Sequence, residues 1–348
     1  MRNGQSRKRF GLAALLLALL ASPQLAARTA ADPPNAAAEP DPNAEVDAQL
    51  TAYGAWLNRA NAIQQSAQRV ALGLGPAVHQ INSSGAPDSV KAPRLRAVLG
   101  EALATIQSAT AAFGTLDTPD FPLLHLPAEL SPAGLRQQML QLNQGYADLI
   151  NQLLRVVGIR TANQAALRTA TQGLFRSLRS IYESQILFAR ATMETAPHDS
   201  SERTIYAFEV SNLRGMQRVL NAYDPFRPTV DRSLPTDLIA LAVEVETQAS
   251  RGEDLLAAEL ASMEDRLAAA TSDSRRTLLR HTIATTAVGR DYFPVARRLA
   301  AHLRGSAQGV RGQIIRQSNM AVIVAGFRQF RADTDAVTVR QNQVAAAP

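Results

Sequence analysis

Apolar residues recur along most of this chain at alternating steps of three and four, the spacing that gathers them on one face of an α-helix. The clearest run lies in residues 131–158. Leu135, Met139, Leu142, Tyr146, Leu149, Leu153 and Val156 form its stripe. Ser131 suits the N-cap, Pro132 the first helical turn, and Gly158 a left-handed end.

The same pattern occurs on both sides. Residues 43–72 carry Tyr53, Trp56, Ala60, Ile63, Ala67 and Val70, with Gly73, Gly75 and Pro76 expected to stop the helix. Residues 93–113 carry Leu95, Leu99, Ala102, Ile106, Ala109 and Phe113. Residues 162–195 carry Leu167, Leu174, Leu178, Ile181 and Phe188, with Thr171 and Gln185 interrupting the seam. These stripes predict an all-α fold, a helical bundle with a four-helix antiparallel core. A further helix over residues 200–222 completes an N-terminal bundle spanning 43–223.

The connection 115–130 holds Pro119, Pro122 and Pro127, which exclude a regular helix. It nevertheless carries Phe121, Leu123, Leu124 and Leu126. Those side chains either plug one end of the bundle or contact a partner or ligand.

Three prolines in residues 224–235 predict a linker between subdomains. Beyond it, residues 236–332 read as a C-terminal helical subdomain. One helix begins at Thr236, a second at a Ser250–Glu253 capping box, a third at Ser274, then a short one through Val295, Leu299 and Leu303. A last helix covers 313–330, followed by a disordered tail over 333–348. No segment alternates in steps of two with the turn chemistry of a sheet.

The first 27 residues differ from all of this. Arg7, Lys8 and Arg9 precede an apolar run from Gly11 to Ala21, and Leu25-Ala26-Ala27 offers small residues for cleavage. The run is too short to span a bilayer comfortably, so the pattern predicts a cleaved signal peptide and a periplasmic or secreted protein. No later stretch reads as a transmembrane span. Residues 28–42, rich in Ala, Pro, Asp and Asn, are expected to be a disordered spacer.

Export lowers the charge that matters. The whole chain has 36 basic and 30 acidic residues. Four of the basic ones lie in the leader, so the remainder is nearly balanced. The absence of cysteine excludes disulfides and thiolate metal sites. No HExxH, GxSxG, Walker or EF-hand spacing is present. Glu194 and His198 stand four apart, but Pro197 between them spoils a shared helical face. The motifs therefore support neither an enzyme nor a cofactor.

Charge is instead segregated. Residues 237–273 hold nine acids against Arg251 and Arg266, and residues 275–331 hold eleven arginines against Asp291. The acidic and basic helices are expected to pack together and largely cancel. The surplus of arginine remains for an anionic partner, with Arg275, Arg276, Arg280, Arg297, Arg298, Arg304 and Arg311 as the candidate contacts. Arg297, Arg304 and Arg311 are spaced by seven, but Gly305 and Gly309 are expected to break the helix between them. Nucleic acid is a poor fit, because the basic stretch holds few aromatic residues for base stacking. The sequence thus points to an exported, non-enzymatic helical protein that binds another envelope protein or an anionic envelope surface. The alternative is a small-molecule-binding or sensory bundle with its ligand near Phe121–Leu126.

Overall fold

The computed structural model describes residues 44–124, 126, 128–158, 163–223, 232–311, 315 and 317–345. The expected leader, the spacer, most of the linker (224–231) and Arg316 lie outside them. Most of the described residues are helical, and none lies in a strand. The chain divides into two compact units, residues 1–188 and 189–348.

The first unit contains α1 (Ala44–Ser83), α2 (Asp88–Thr115), α3 (Pro132–Gly158) and most of α4 (Gln164–Thr195). The stripe expected on α2 is buried throughout, Leu95 to Phe113. On α3, Leu135, Leu142, Tyr146, Leu149, Leu153 and Val156 are buried, and Met139 is half-buried. Ser131 caps α3 by accepting the Gly134 N–H at 3.1 Å, and Asn163 caps α4 through the Ala166 N–H at 3.0 Å. Gly158 ends α3 without the expected left-handed turn. Gly85 (φ 68°), in the short α1–α2 turn, takes that conformation.

α1 runs well past its expected end. It continues through Gly73, Gly75 and Pro76 to Ser83, because Ala71, Leu74 and Val78 keep the buried stripe in phase. α1, α2 and α3 pack pairwise, and α4 lies on α3. A Cβ on Gly145 would meet Ile181 Cγ1 at 2.9 Å, and one on Gly173 would meet Gln152. Leu149 is fully buried at the middle of its stripe. Leu149→Ala is expected to lower stability by about 2–5 kcal/mol. Urea denaturation checks this, and a loss below about 0.5 kcal/mol would instead mark a surface position.

The second unit contains α5 (Ser201–Ala222), α6 (Leu234–Ala268), α7 (Asp273–Ala287), α8 (Tyr292–Val310) and α9 (Gln317–Ala345). α5 and α6 pack on each other within it, so residues 224–235 connect two elements of one unit and do not divide the chain. α6 is one helix where two were expected. Ala249 and Gly252 are buried and carry the stripe from Val245 to Leu256, and Ser250 is exposed. α8 runs unbroken through Gly305 and Gly309. α9 extends to Ala345, so most of the expected tail is helix, with Val337 and Gln341 buried.

Aromatic side chains fill notches left by glycine in this core. Phe293 sits over Gly252, Phe327 over Gly215, and the His302 ring over Gly326. Phe293 also meets Phe208 edge-on at 6.2 Å. Phe208, Phe293 and Phe327 are each at most 2% exposed.

Candidate functional site

The segregated charges of the sequence are drawn together in the second unit. α8 directs Arg297 at Glu253 and Arg304 at Glu246, each pair joined through two guanidinium nitrogens. The four residues form a two-rung ladder along α6, with both partners spaced by seven. Hydrogen bonds from Arg297 hold the Glu253 carboxyl below the usual carboxylate range. Arg298 donates to Asp333 of α9 at 2.8 Å. Burial works against the ionised form of Asp333, but hydrogen bonds from Arg298 and Gln329 outweigh it and hold its pKa below the usual range. Arg297, Arg298 and Arg304 are therefore internal ties of the unit. An anionic partner at them would compete with an acid already in place.

Arg331, with a side chain only 8% exposed, ties α9 to α5. It donates to Glu209 at 3.3 Å and faces Asp335 at 3.9 Å. Burial raises the pKa of both carboxyls, and the Arg331 charge works against that rise.

The remaining candidate arginines differ. Arg276 donates to the Ala270 carbonyl at 3.0 Å and to Asp273 of its own helix at 3.2 Å. Arg275, Arg280 and Arg311 are exposed and make no ion pair among the described residues. Arg275 and Arg280 lie on α7, which buries no residue at all. Leu278 stands between them at 46% exposure. α7 is thus an open fifteen-residue helix that carries exposed Arg275 and Arg280 beside an outward leucine.

The apolar loop of the first unit is packed down onto α1. Phe121 is buried, edge-on to Tyr53 at 5.4 Å. Trp56 Nε1 donates to the Asp117 carbonyl and Tyr53 Oη to the Leu130 carbonyl, both at 2.7 Å. Burial pushes the Tyr53 hydroxyl up to about 12. The Leu123 N–H donates to Gln49 Oε1 at 3.0 Å. Leu124 and Leu126 are half-buried, and Leu123 is left 38% exposed.

Several interior positions escaped the apolar pattern. Gln64 and Asn143 are at most 3% exposed, and neither amide nitrogen nor amide oxygen of either has a hydrogen-bond partner among the described residues. Gln185 Nε2 reaches Tyr146 Oη at 3.4 Å. The signal for Gln64 was present: Trp56, Ala60, Gln64, Ala67, Ala71, Leu74 and Val78 advance by threes and fours. A reading that follows only apolar residues skips it.

Among the described residues, no three His, Asp or Glu side chains are grouped to hold a metal ion. Glu194, weighed above with His198, accepts from Arg203 at 2.8 Å, and that bond lowers its pKa. No helix of the described residues is long and apolar enough to cross a membrane. Compared with protein-family models, with curated proteins and with solved structures, the chain matches none.

Proposed function

We propose that this chain is an exported, non-catalytic binding protein that holds an anionic surface of the cell envelope through α7. The observation that carries the reading is the contrast between two sets of arginines. Arg297, Arg298 and Arg304 are engaged by acids of their own unit, whereas Arg275 and Arg280 stand exposed on α7 and form no ion pair among the described residues. Arginine suits phosphate and carboxylate because its planar fork donates two parallel hydrogen bonds. Leu278 adds an apolar contact of the kind that lets a basic helix lie at a lipid head-group boundary. The leader-like first 27 residues support the compartment, where such surfaces are available.

Co-sedimentation with phosphatidylglycerol vesicles tests the proposal. Binding is expected to weaken steeply with salt, since the Debye length falls from about 10 Å at 0.1 M to about 3 Å at 1 M. Each arginine near an anionic surface contributes roughly 1 kcal/mol, so Arg275→Gln with Arg280→Gln should reduce binding by about 30-fold. Circular dichroism should stay unchanged, because neither side chain holds the fold. Salt-insensitive binding, or an unchanged affinity in the double variant, would remove α7 from the interface.

A further inference from the structure

The outward face of α9 carries a second pattern, independent of α7. Toward its own unit α9 buries Ile323, Phe327, Phe330 and Val337. Away from it, Val322, Ala325, Gln329, Ala332, Ala336 and Val339 advance by three, four, three, four and three, and all six are exposed. The two valines are 66% and 55% exposed, among the most open large apolar side chains of the described residues. No charged residue interrupts the line. Steps of three and four keep side chains in a straight row along a helix, the arrangement that packs against a second helix. An ordinary solvent face has no need of such a row, and exposed apolar surface of this kind marks an interface.

The row is its own complement. Laid antiparallel on a second copy so that Val322 meets Val339 of that copy, it brings Ala325 opposite Ala336 and Gln329 opposite Ala332. Two-fold symmetry then fills each layer twice, as in an isologous interface. Charge agrees with this setting. Arg328 and Asp335 flank the row on one edge, seven apart and both exposed. In the antiparallel pair, Arg328 of each copy comes beside Asp335 of the other, the edge pairing that sets partner choice and orientation between paired helices. A guanidinium has five donors, so Arg328 can take that carboxylate in addition to its contacts within the unit. The Asp335 side chain is 51% exposed and stands 3.9 Å from Arg331, which leaves it open to a second cation. A parallel pair would instead bring Arg328 to Asp333 and Asp335 to Arg340, and those two are already held by Arg298 and Asp291. We infer that α9 joins two copies of this chain in an antiparallel, two-fold symmetric dimer, with Val322 packed on Val339 at each end and Arg328 beside Asp335 along one edge.

The row is about 26 Å long, short for a permanent interface, so a dissociation constant on the order of 10 μM is expected. Sedimentation equilibrium of the whole chain, without lipid and across that concentration, should follow a monomer–dimer equilibrium. Ala332→Glu puts a charge into the middle layers and should weaken association by about tenfold or more. Its circular dichroism and melting temperature should match the wild type, because Ala332 is exposed in the single chain. The chain has no cysteine, so introduced ones report the register. Val322→Cys and Val339→Cys proteins, mixed and oxidised, should form a disulfide between copies, while neither couples readily to itself. In the inferred alignment the two 322 positions stand about 26 Å apart, far beyond the roughly 7 Å between Cα atoms that a disulfide spans. A chain that stays monomeric throughout would overturn the inference. So would Ala332→Glu protein that folds and associates as tightly as the wild type, or Val322→Cys protein that couples to itself as readily as to Val339→Cys. Wild-type sedimentation and the cysteine mixture decide the matter even where Ala332→Glu folds poorly, and failure at α7 leaves both unaffected.

Discussion

Phe293→Ala is expected to cost about 3–5 kcal/mol, among the largest losses available to a single substitution in this chain. The ring is fully buried, stands edge-on to Phe208, and enters the notch at Gly252. A Cβ on Gly252 would lie 2.5 Å from Phe293 Cε1 and 2.7 Å from Thr204 Cγ2. Gly252→Ala alone should therefore destabilise by about 1–3 kcal/mol, although alanine is the better helix former. The two changes share one space, so their costs should not add. Urea denaturation of both single variants and the double variant measures the coupling. Strictly additive losses would mean that ring and notch act separately.

Trp56→Ala is expected to cost a similar 3–5 kcal/mol, for a different combination of reasons. Trp56 is fully buried and stacks on Tyr53 with ring centroids 6.4 Å apart. Its Nε1–H also holds the loop at Asp117. Trp56→Phe keeps most of the apolar contact and loses that hydrogen bond, for an expected cost nearer 1 kcal/mol. Equal losses for Phe and Ala would assign the whole effect to the hydrogen bond. Protection of the 115–130 backbone from hydrogen exchange should fall in both variants, since both release the Asp117 carbonyl.

The contrast between α2 and α1 shows what the apolar pattern carries and what it omits. Every residue of the α2 stripe is a plain apolar side chain on a regular grid, and every one is buried. On α1 the grid is equally regular, but Gln64 and Gln68 occupy buried positions while Ile63 and Val70 are half-buried. The helix period was legible there and its phase was not, because polarity at a grid point reads as surface. α6 and α9 extend beyond their expected limits for a related reason. Ala249, Gly252 and Gln341 continue a buried face without looking hydrophobic. Gly73, Gly305 and Gly309 looked like helix ends, yet packing on either side of each exceeds the cost of roughly 1 kcal/mol that glycine imposes on a helix interior. The arginine surplus was legible as arithmetic. Which arginines meet an acid depends on helix pairing, and no local pattern encodes that. The unpaired amides are invisible for the same reason, since whether a buried group has a partner is a property of the assembled unit.

The ladder between α6 and α8 has a further consequence for how the helices find their alignment. Arginine recurs at every seventh position, 290, 297, 304 and 311, and the acids 246 and 253 are also seven apart. If α8 slid by two turns, about 10.5 Å, in either direction, both acids would still face an arginine. Arg290 and Arg297 would serve in one case, Arg304 and Arg311 in the other. Charge is thus degenerate, like a vernier whose marks coincide at more than one setting. The ring of Phe293 removes the degeneracy, because seven residues either side of Gly252 stand Val245 and Glu259, which leave no notch for it. Attraction draws the helices together and shape chooses the setting. Arg290 and Arg311, exposed and without an ion pair among the described residues, are the overhang left at its two ends.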